Sequence, residues 1–314
     1  MRWFWLTVLF AHAAMAQEAS VGVTSSVACI QIALDRQGFG VGFIDDRDGS
    51  RTQGALKDFR EARGLSARAA RQALASTNLQ PFATHAISQQ DIDQVGRAPK
   101  DWLEASQVPR MACETLEDVL SEKYRVSPAY LRRLNPEVAA WDSNMVGRAV
   151  TVPNMGRPLK LGTAGRIEID CSRFRLRAFD TNDHLIASFP CSVATDLARV
   201  PTGELKVVLF APNPDYTFDP AIFPESPRAR EIGRRLIIPK GPRNPVGEYW
   251  LGLSAPGFGI HGTNHPETIG RRESHGCFRL TNWDIATLAR MVTAGTPVKA
   301  VGLAEGGARQ DIQD

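Results

Sequence analysis

Apolar positions along this 314-residue chain fall into three successive regimes. In residues 28–76, Ile30 and Leu34 share one helical face, and Ala55, Leu56 and Phe59 share another that opens at Thr52 and closes at Gly64. A glycine-containing turn at 38–42 and the run Asp45-Asp46-Arg47-Asp48-Gly49 separate the two, which predicts a small helical module. Residues 77–110 are polar and read as a linker with some helical content at 88–96. A second helical regime covers residues 111–155. Thr115 with Asp118 makes a capping box before the apolar face of Leu116, Val119, Leu120 and Tyr124. Ser127-Pro128 supplies an N-cap and a proline at the first helical position ahead of Leu131 and Leu134, and residues 149–152 read as a strand.

From residue 165 to 303 the period becomes two. Residues 167–170, 174–179 and 185–193 alternate, with turn residues at 180–183, and 205–210 and 249–253 read as further strands. The connection at 211–247 is rich in proline and carries Arg228, Arg230, Arg234 and Arg235. It is too long for a simple turn, and loops of that size act as lids or binding loops. Its arginines are either a solvated face or an attractor for an acidic substrate. Tyr216, Phe218 and Phe223 either line a groove or pack the loop. One helix follows Thr281, with Ile285, Leu288, Ala289 and Val292 as its inner stripe. Residues 304–314 are a tail.

The N-terminus changes the picture. Arg2 precedes an apolar run at 3–14, and Ala14-Met15-Ala16 has the small-x-small form of a cleavage site. The run is short for a bilayer span, so residues 1–16 read as a signal peptide rather than a retained anchor. No cysteine follows the cleavage point to take a lipid. Export makes Cys29, Cys113, Cys171 and Cys191 compatible with two disulfides or with four small buried apolar residues, and leaves Cys277 as the odd thiol. A net charge of +3 is too small to argue for nucleic acid.

The candidate chemistry lies in Ile260-His261-Gly262-Thr263 and Ser274-His275-Gly276-Cys277-Phe278-Arg279. A thiol, two imidazoles and a guanidinium occur within about twenty residues, with glycines beside the thiol and the first imidazole. Acyl transfer needs a nucleophile, a proton acceptor and oxyanion donors. Cys277 fits the first role and His261 the second, and Gly262 and Gly276 allow close backbone approach. Arg279 is placed to meet a carboxylate.

Residues 260–284 resemble the L,D-transpeptidase catalytic domain, the YkuD-like family, whose hallmark is His-Gly-Thr followed by Ser-His-Gly-Cys-x-Arg. The resemblance extends to Pro201-Thr202-Gly203, Asn244-Pro245-Val246-Gly247 and Gly295-Thr296-Pro297-Val298. It implies a mainly-β, sandwich-like catalytic domain within a multidomain α+β chain. By the same resemblance Cys277 is the nucleophile, His261 the base, and the Gly262 carbonyl the partner orienting it. His275 and Gly276 would shape the oxyanion region, and Arg279, Ser274, Thr263 and Asn264 would contact substrate. No cofactor or metal is implied. The thiolate of such enzymes attacks a peptidoglycan stem tetrapeptide before its terminal D-Ala. An amine of a second stem peptide (a 3-3 crosslink), a lipoprotein lysine, or water then resolves the thioester. The implied location is the periplasm.

Two further resemblances concern the N-terminal half. Gly49, Thr52, Ala55, Phe59, Gly64 and Leu65 match a helical peptidoglycan-binding module, with Asp46 where the first glycine is usual and Arg60 where glutamine is common. Thr115-Leu116, Tyr124, Val126-Ser127, Leu131, Leu134-Asn135-Pro136 and Val150-Thr151-Val152-Pro153 resemble a βααβ LysM domain, with Cys113-Glu114 replacing its Gly-Asp. Both imply glycan or peptidoglycan as partner. Two rival functions stand beside the enzyme reading. A zinc peptidase would use His261, His265, His275 and Cys277, but His-Glu-x-x-His is absent. A non-catalytic wall-binding protein would have no need of an intact thiol, base and arginine.

Overall fold

The computed structural model describes residues 26–77, 80–156, 160–223 and 225–303. The expected signal peptide and the tail at 304–314 lie outside these residues. Among the described residues no helix is long and apolar enough to cross a membrane.

The N-terminal unit forms as its periodicity predicts. Helix Val27–Asp35 is capped by Ser26, whose hydroxyl accepts from the Cys29 amide at 3.3 Å. Helix Ser50–Arg63 ends at Gly64, which takes φ 61° and so satisfies carbonyls of the last turn. Asp46, standing in for a glycine, also has φ 61°. Asp tolerates this left-handed conformation better than most residues, and here its carboxylate accepts from the Ala28 amide at 2.9 Å and pairs with Arg133 at 2.6 Å.

The segment read as a linker is folded. Strand Phe82–Ala86 pairs antiparallel with Ala149–Pro153, in register from Phe82 against Pro153 to Ala86 against Ala149. The first strand of the βααβ unit therefore comes from residues 82–86, upstream of the boundary expected at 111. Helices Leu116–Tyr124 and Pro128–Leu134 lie between the two strands, and the short helices Gln89–Ile92 and Trp102–Ala105 are inserted after the first. Phe-Ala-Thr-His-Ala has one large apolar residue, so no alternation marks it as a strand until its partner is known.

The units are fused through their cores. Ile32, Leu34, Phe39 and Phe59 of the first unit share one apolar cluster with Leu116, Leu120, Leu131 and Val152 of the second and with Phe179 and Leu185 of the third. The first unit is also locked electrostatically to the third. Asp58, fully buried on helix Ser50–Arg63, faces Arg173 at 2.8 Å, Arg175 at 3.0 Å and Arg177 at 3.6 Å. Arg175 in addition donates to the Gly40 carbonyl at 3.0 Å.

Residues 164–303 are built on an eight-stranded sheet. From edge to edge its order is Phe278–Arg279, Gly259–His261, Tyr249–Leu253, Leu205–Pro212, Pro297–Val301, Arg166–Asp170, Arg175–Phe179 and Leu185–Pro190. The sandwich-like expectation is corrected in one respect: the ladder is continuous. Strand Leu205–Pro212 pairs with Pro297–Val301 through Leu205 and Lys206, and with Tyr249–Leu253 through residues 207–212. The two halves joined by this strand share one core, which includes Ile167, Leu176, Val207, Leu251, Ile260 and Phe278. Helix Asn282–Ala289 adds Ile285 and Leu288 to it. The five cysteines are reduced thiols, and Cys29, Cys113, Cys171 and Cys191 are buried. Of the two readings left open by sequence, the structure holds the four as small apolar residues.

Candidate active site

Strand Gly259–His261 runs parallel to Phe278–Arg279, with Ile260 opposite Phe278 and His261 opposite Arg279. Both Ile260 and Phe278 are fully buried in the core. Alternation then turns His261, Cys277 and Arg279 to the other face, where all three line one cavity of about 830 Å³. Residues sixteen apart in sequence thus become diagonal neighbours across one strand pair.

His261 is 4 % exposed, and its Nδ1 lies 2.7 Å from the Gly262 carbonyl oxygen. A carbonyl only accepts, so Nδ1 carries the proton and Nε2 is left as the acceptor. Burial, then the nearby Arg279 charge, lowers the imidazole to about 3 against the opposing pull of that carbonyl. The ring is neutral at pH 7. The indole of Trp250, its cross-strand partner, stacks on it at 5.3 Å and 17°. Gly262 is close-packed between Gly247 and the Asn282 carboxamide, and Asn282 donates to the Pro242 carbonyl at 3.1 Å. The carbonyl that orients the imidazole is itself held.

Burial raises the Cys277 thiol, while the Gly259 backbone and Arg279 oppose that shift. The thiol lies 3.7 Å from the Gly257 carbonyl oxygen, to which it donates. The resting site therefore holds a neutral thiol beside a neutral imidazole. Arg279 reaches Glu273 at 3.8 Å, and its buried Nε has no protein hydrogen-bond partner among the described residues.

The other expected residues divide by what their atoms touch. The Ser274 hydroxyl lines the cavity but donates to the Cys277 carbonyl at 2.6 Å and accepts from the Gly276 amide at 3.2 Å. It closes the turn that carries Cys277. The same bond engages the Gly276 N–H, so what Gly276 leaves to the site is its missing side chain; a Cβ there would come within 2.7 Å of Phe258. Thr263, expected to contact substrate, is 1 % exposed, and its hydroxyl accepts from the His265 amide at 3.0 Å. That hydroxyl closes a turn, and Thr263 is not among the residues that line the cavity. Asn264 lines the cavity, with its carbonyl held by Arg243 at 2.8 Å. His275 lines the rim, 3.3 Å from Glu225 and edge-on to Phe223 at 5.1 Å.

The long loop folds over the cavity as a hairpin, Tyr216–Phe218 against Leu236–Ile238, with helix Pro227–Ile232 between the strands. Its exposed Arg228 pairs with Asp101 at 2.6 Å and Arg235 with Asp219 at 2.7 Å. Tyr216 and Phe223 line the cavity, and Phe218 is buried in a core that the hairpin shares with Ala105 and Met111. Sequence reasoning missed Trp250 and Trp102, both of which line the cavity. Each depends on a pairing between distant segments, so neither carries a local signal. Among the described residues no group of three or more His, Cys, Asp or Glu side chains is gathered to hold a metal.

Residues 164–299 match the family model described as YkuD, the L,D-transpeptidase catalytic domain. The L,D-transpeptidase YkuD of Bacillus licheniformis is 30% identical over 185 residues, spanning 59% of this chain and 92% of that protein. The L,D-transpeptidase YcfS of Escherichia coli is 30% identical over 190 residues, 59% of this chain and 58% of that one. A solved L,D-transpeptidase from Mycobacterium smegmatis overlays 43% of this chain and 57% of its own at 17% identity and a TM-score of 0.34, a likeness too low to argue from. By the near full-length match to YkuD and the domain match across the sheet that carries the thiol, this chain belongs to the L,D-transpeptidase family and is an L,D-transpeptidase enzyme.

Proposed function

We propose that Cys277 attacks the carbonyl that precedes the terminal D-Ala of a peptidoglycan stem tetrapeptide. His261 Nε2 takes the thiol proton as the C–S bond forms, then delivers it to the departing amine of D-Ala. The thioester is resolved when an amine adds to its carbonyl, the Cys277 sulfur leaves, and His261 shuttles the proton back. The observation that carries this reading is the parallel strand pair that turns thiol, imidazole and guanidinium into one cavity. The spare Nε donor of Arg279 suits a carboxylate of the donor. Starting from a neutral pair lets the thiol ionise only as attack proceeds, which keeps the resting thiol less open to oxidation.

The acceptor in this reading is an amine, from a second stem peptide or a lipoprotein lysine; water would make the same acyl-enzyme a carboxypeptidase or crosslink hydrolase. We further infer export to the periplasm, from the N-terminal pattern, and a wall-binding role for the helical and LysM-like units. The 185-residue match to YkuD is longer than the domain match at 164–299, so part of the N-terminal half is common to both proteins.

The test is incubation of the full chain with a purified disaccharide-tetrapeptide, alone and with a second tetrapeptide or a lysine-ended peptide. Free D-Ala and a Cys277 adduct in the mass spectrum are expected, with the adduct consumed when an amine is added. Neither release nor adduct from active, folded protein overturns the donor reading. Release from Cys277→Ala that is abolished by a chelator would instead favour the metal peptidase.

A further inference from the structure

The chemistry above uses one end of the cavity. Its other wall comes from outside the catalytic domain: Trp102, on the segment inserted between the two strands of the βααβ unit, lines the same cavity as Cys277. We propose that Trp102 is a specificity determinant that stacks on the glycan-proximal end of the donor. The proposal rests on the donor assignment made above.

Trp102 is held in a fixed position. Its indole stacks on Phe218 at 4.6 Å and 20°, and lies 5.9 Å from Phe223. Asp101, which caps its helix, is tied to Arg228 of the hairpin at 2.6 Å. Farther along, the Met111 amide donates to the Lys240 carbonyl at 3.0 Å and the Met111 carbonyl accepts from the Arg243 amide at 3.1 Å. Gly241 lies so close to Met111 that a Cβ would collide with its carbonyl. Arg243 then joins Asp118 of helix Leu116–Tyr124, at 3.1 Å, to the Asn264 carbonyl just beyond the base. Insert, hairpin and catalytic loop are one assembly, so the wall stands at a set distance from the nucleophile.

That distance selects the part of the substrate. From Trp102 the path of ring contacts runs to Phe223 at 5.9 Å and on to His275 at 5.1 Å, two residues before Cys277. Trp102 is therefore set back from the thiol behind the Phe223 and His275 rings, and an occupant that meets both extends back along the donor from the bond that is opened. In a tetrapeptide opened before its fourth residue, that direction leads toward the first residue and the sugar that bears it. The chemistry agrees. A half-buried indole offers a flat apolar face with one polar edge, which suits the C–H face of a sugar ring. The volume of about 830 Å³ also leaves room for more than the reacting end of a peptide.

The experiment compares full-length wild type with Trp102→Ala, Trp102→Leu and Trp102→Phe on two donors, a disaccharide-tetrapeptide and the free tetrapeptide, by initial rates of D-Ala release. Trp102→Ala and Trp102→Leu are expected to lower kcat/KM on the disaccharide donor about tenfold, through KM, and to change the free tetrapeptide by less than about threefold. Trp102→Phe keeps most of the preference. The leucine variant preserves apolar bulk in the hairpin core and carries the test if the alanine variant does not fold; iodoacetamide alkylation of Cys277 at the wild-type rate certifies an intact site. Equal losses on both donors, no loss on the disaccharide donor, or a loss seen only as acceptor is varied overturns the proposal. Wild-type release from the free tetrapeptide tests the donor reading by itself, so the two failures are separable.

Discussion

Substitution of Gly259 by alanine probes how tightly the base is held. Gly259 lies opposite the nucleophile's strand, and a Cβ built on it would stand 2.6 Å from the Trp250 indole. Ordinary contact begins near 3.4 Å, so the indole or the strand must give by about 0.8 Å. That indole is stacked on His261 at 5.3 Å, and the imidazole is anchored by a hydrogen bond to the Gly262 carbonyl at 2.7 Å. Displacement of the indole therefore passes to the imidazole. A misplacement of about 1 Å costs on the order of a hundredfold in rate. Gly259→Ala should lower kcat for D-Ala release by about that factor while KM changes by less than about threefold, because Arg279, the group proposed to meet the donor carboxylate, is untouched. Trp250→Phe/Gly259→Ala, with a smaller ring, should recover part of the loss. The assay is steady-state D-Ala release, with circular dichroism confirming the fold. A Gly259→Ala enzyme with kcat within threefold of wild type would show that the Trp250 stack does not position the base.

Further expectations follow from the buried charges. Asp58→Ala leaves Arg175, 2% exposed, without its carboxylate; loss of one partner of a buried pair costs about 3–5 kcal/mol, so the thermal midpoint should fall by on the order of 10 °C, and a shift under 2 °C would refute the lock between the first unit and the sheet. His261 is held neutral to about pH 3, whereas its unfolded counterpart gains a proton near the ordinary value of 6.5. Its contribution to stability is full above that value and is lost as pH falls toward 3, so His261→Gln should flatten the acid limb of a midpoint-against-pH curve. The Cys277 thiol is raised by burial, and its alkylation rate should still be climbing above pH 9; a plateau near neutrality would indicate a thiolate–imidazolium pair instead. Asp284 is raised to about 7, first by burial and then by the neighbouring Asp35. Its contribution is therefore present at low pH and lost as pH rises through about 7. Asp284→Asn should be more stable than wild type at pH 8.5, with the gap closing at pH 5, and calorimetry at the two pH values decides it.

The family motif and the candidate site were legible in the sequence because they are local. Cys277, His261 and Arg279 are side-chain types with one common task, and the capping signals at Thr115, Ser127 and Thr281 mark helices that form. Turn chemistry was also readable where the backbone demands it, as at Gly64. What sequence alone could not supply were relations between residues far apart. The strand at 82–86 exists because Ala149–Pro153 pairs with it. Ser274 and Thr263 are polar residues beside the motif, and nothing local tells a hydroxyl that meets substrate from one that closes a turn; burial and hydrogen bonding decide. Asp58 meets its three arginines across more than a hundred residues. Side-chain chemistry thus named a candidate nucleophile and a candidate base. Tertiary structure decided which groups hold them, that the N-terminal half shares their core, and that a tryptophan from the supposed linker faces their cavity, because each of those depends on pairing and packing that no window of sequence contains.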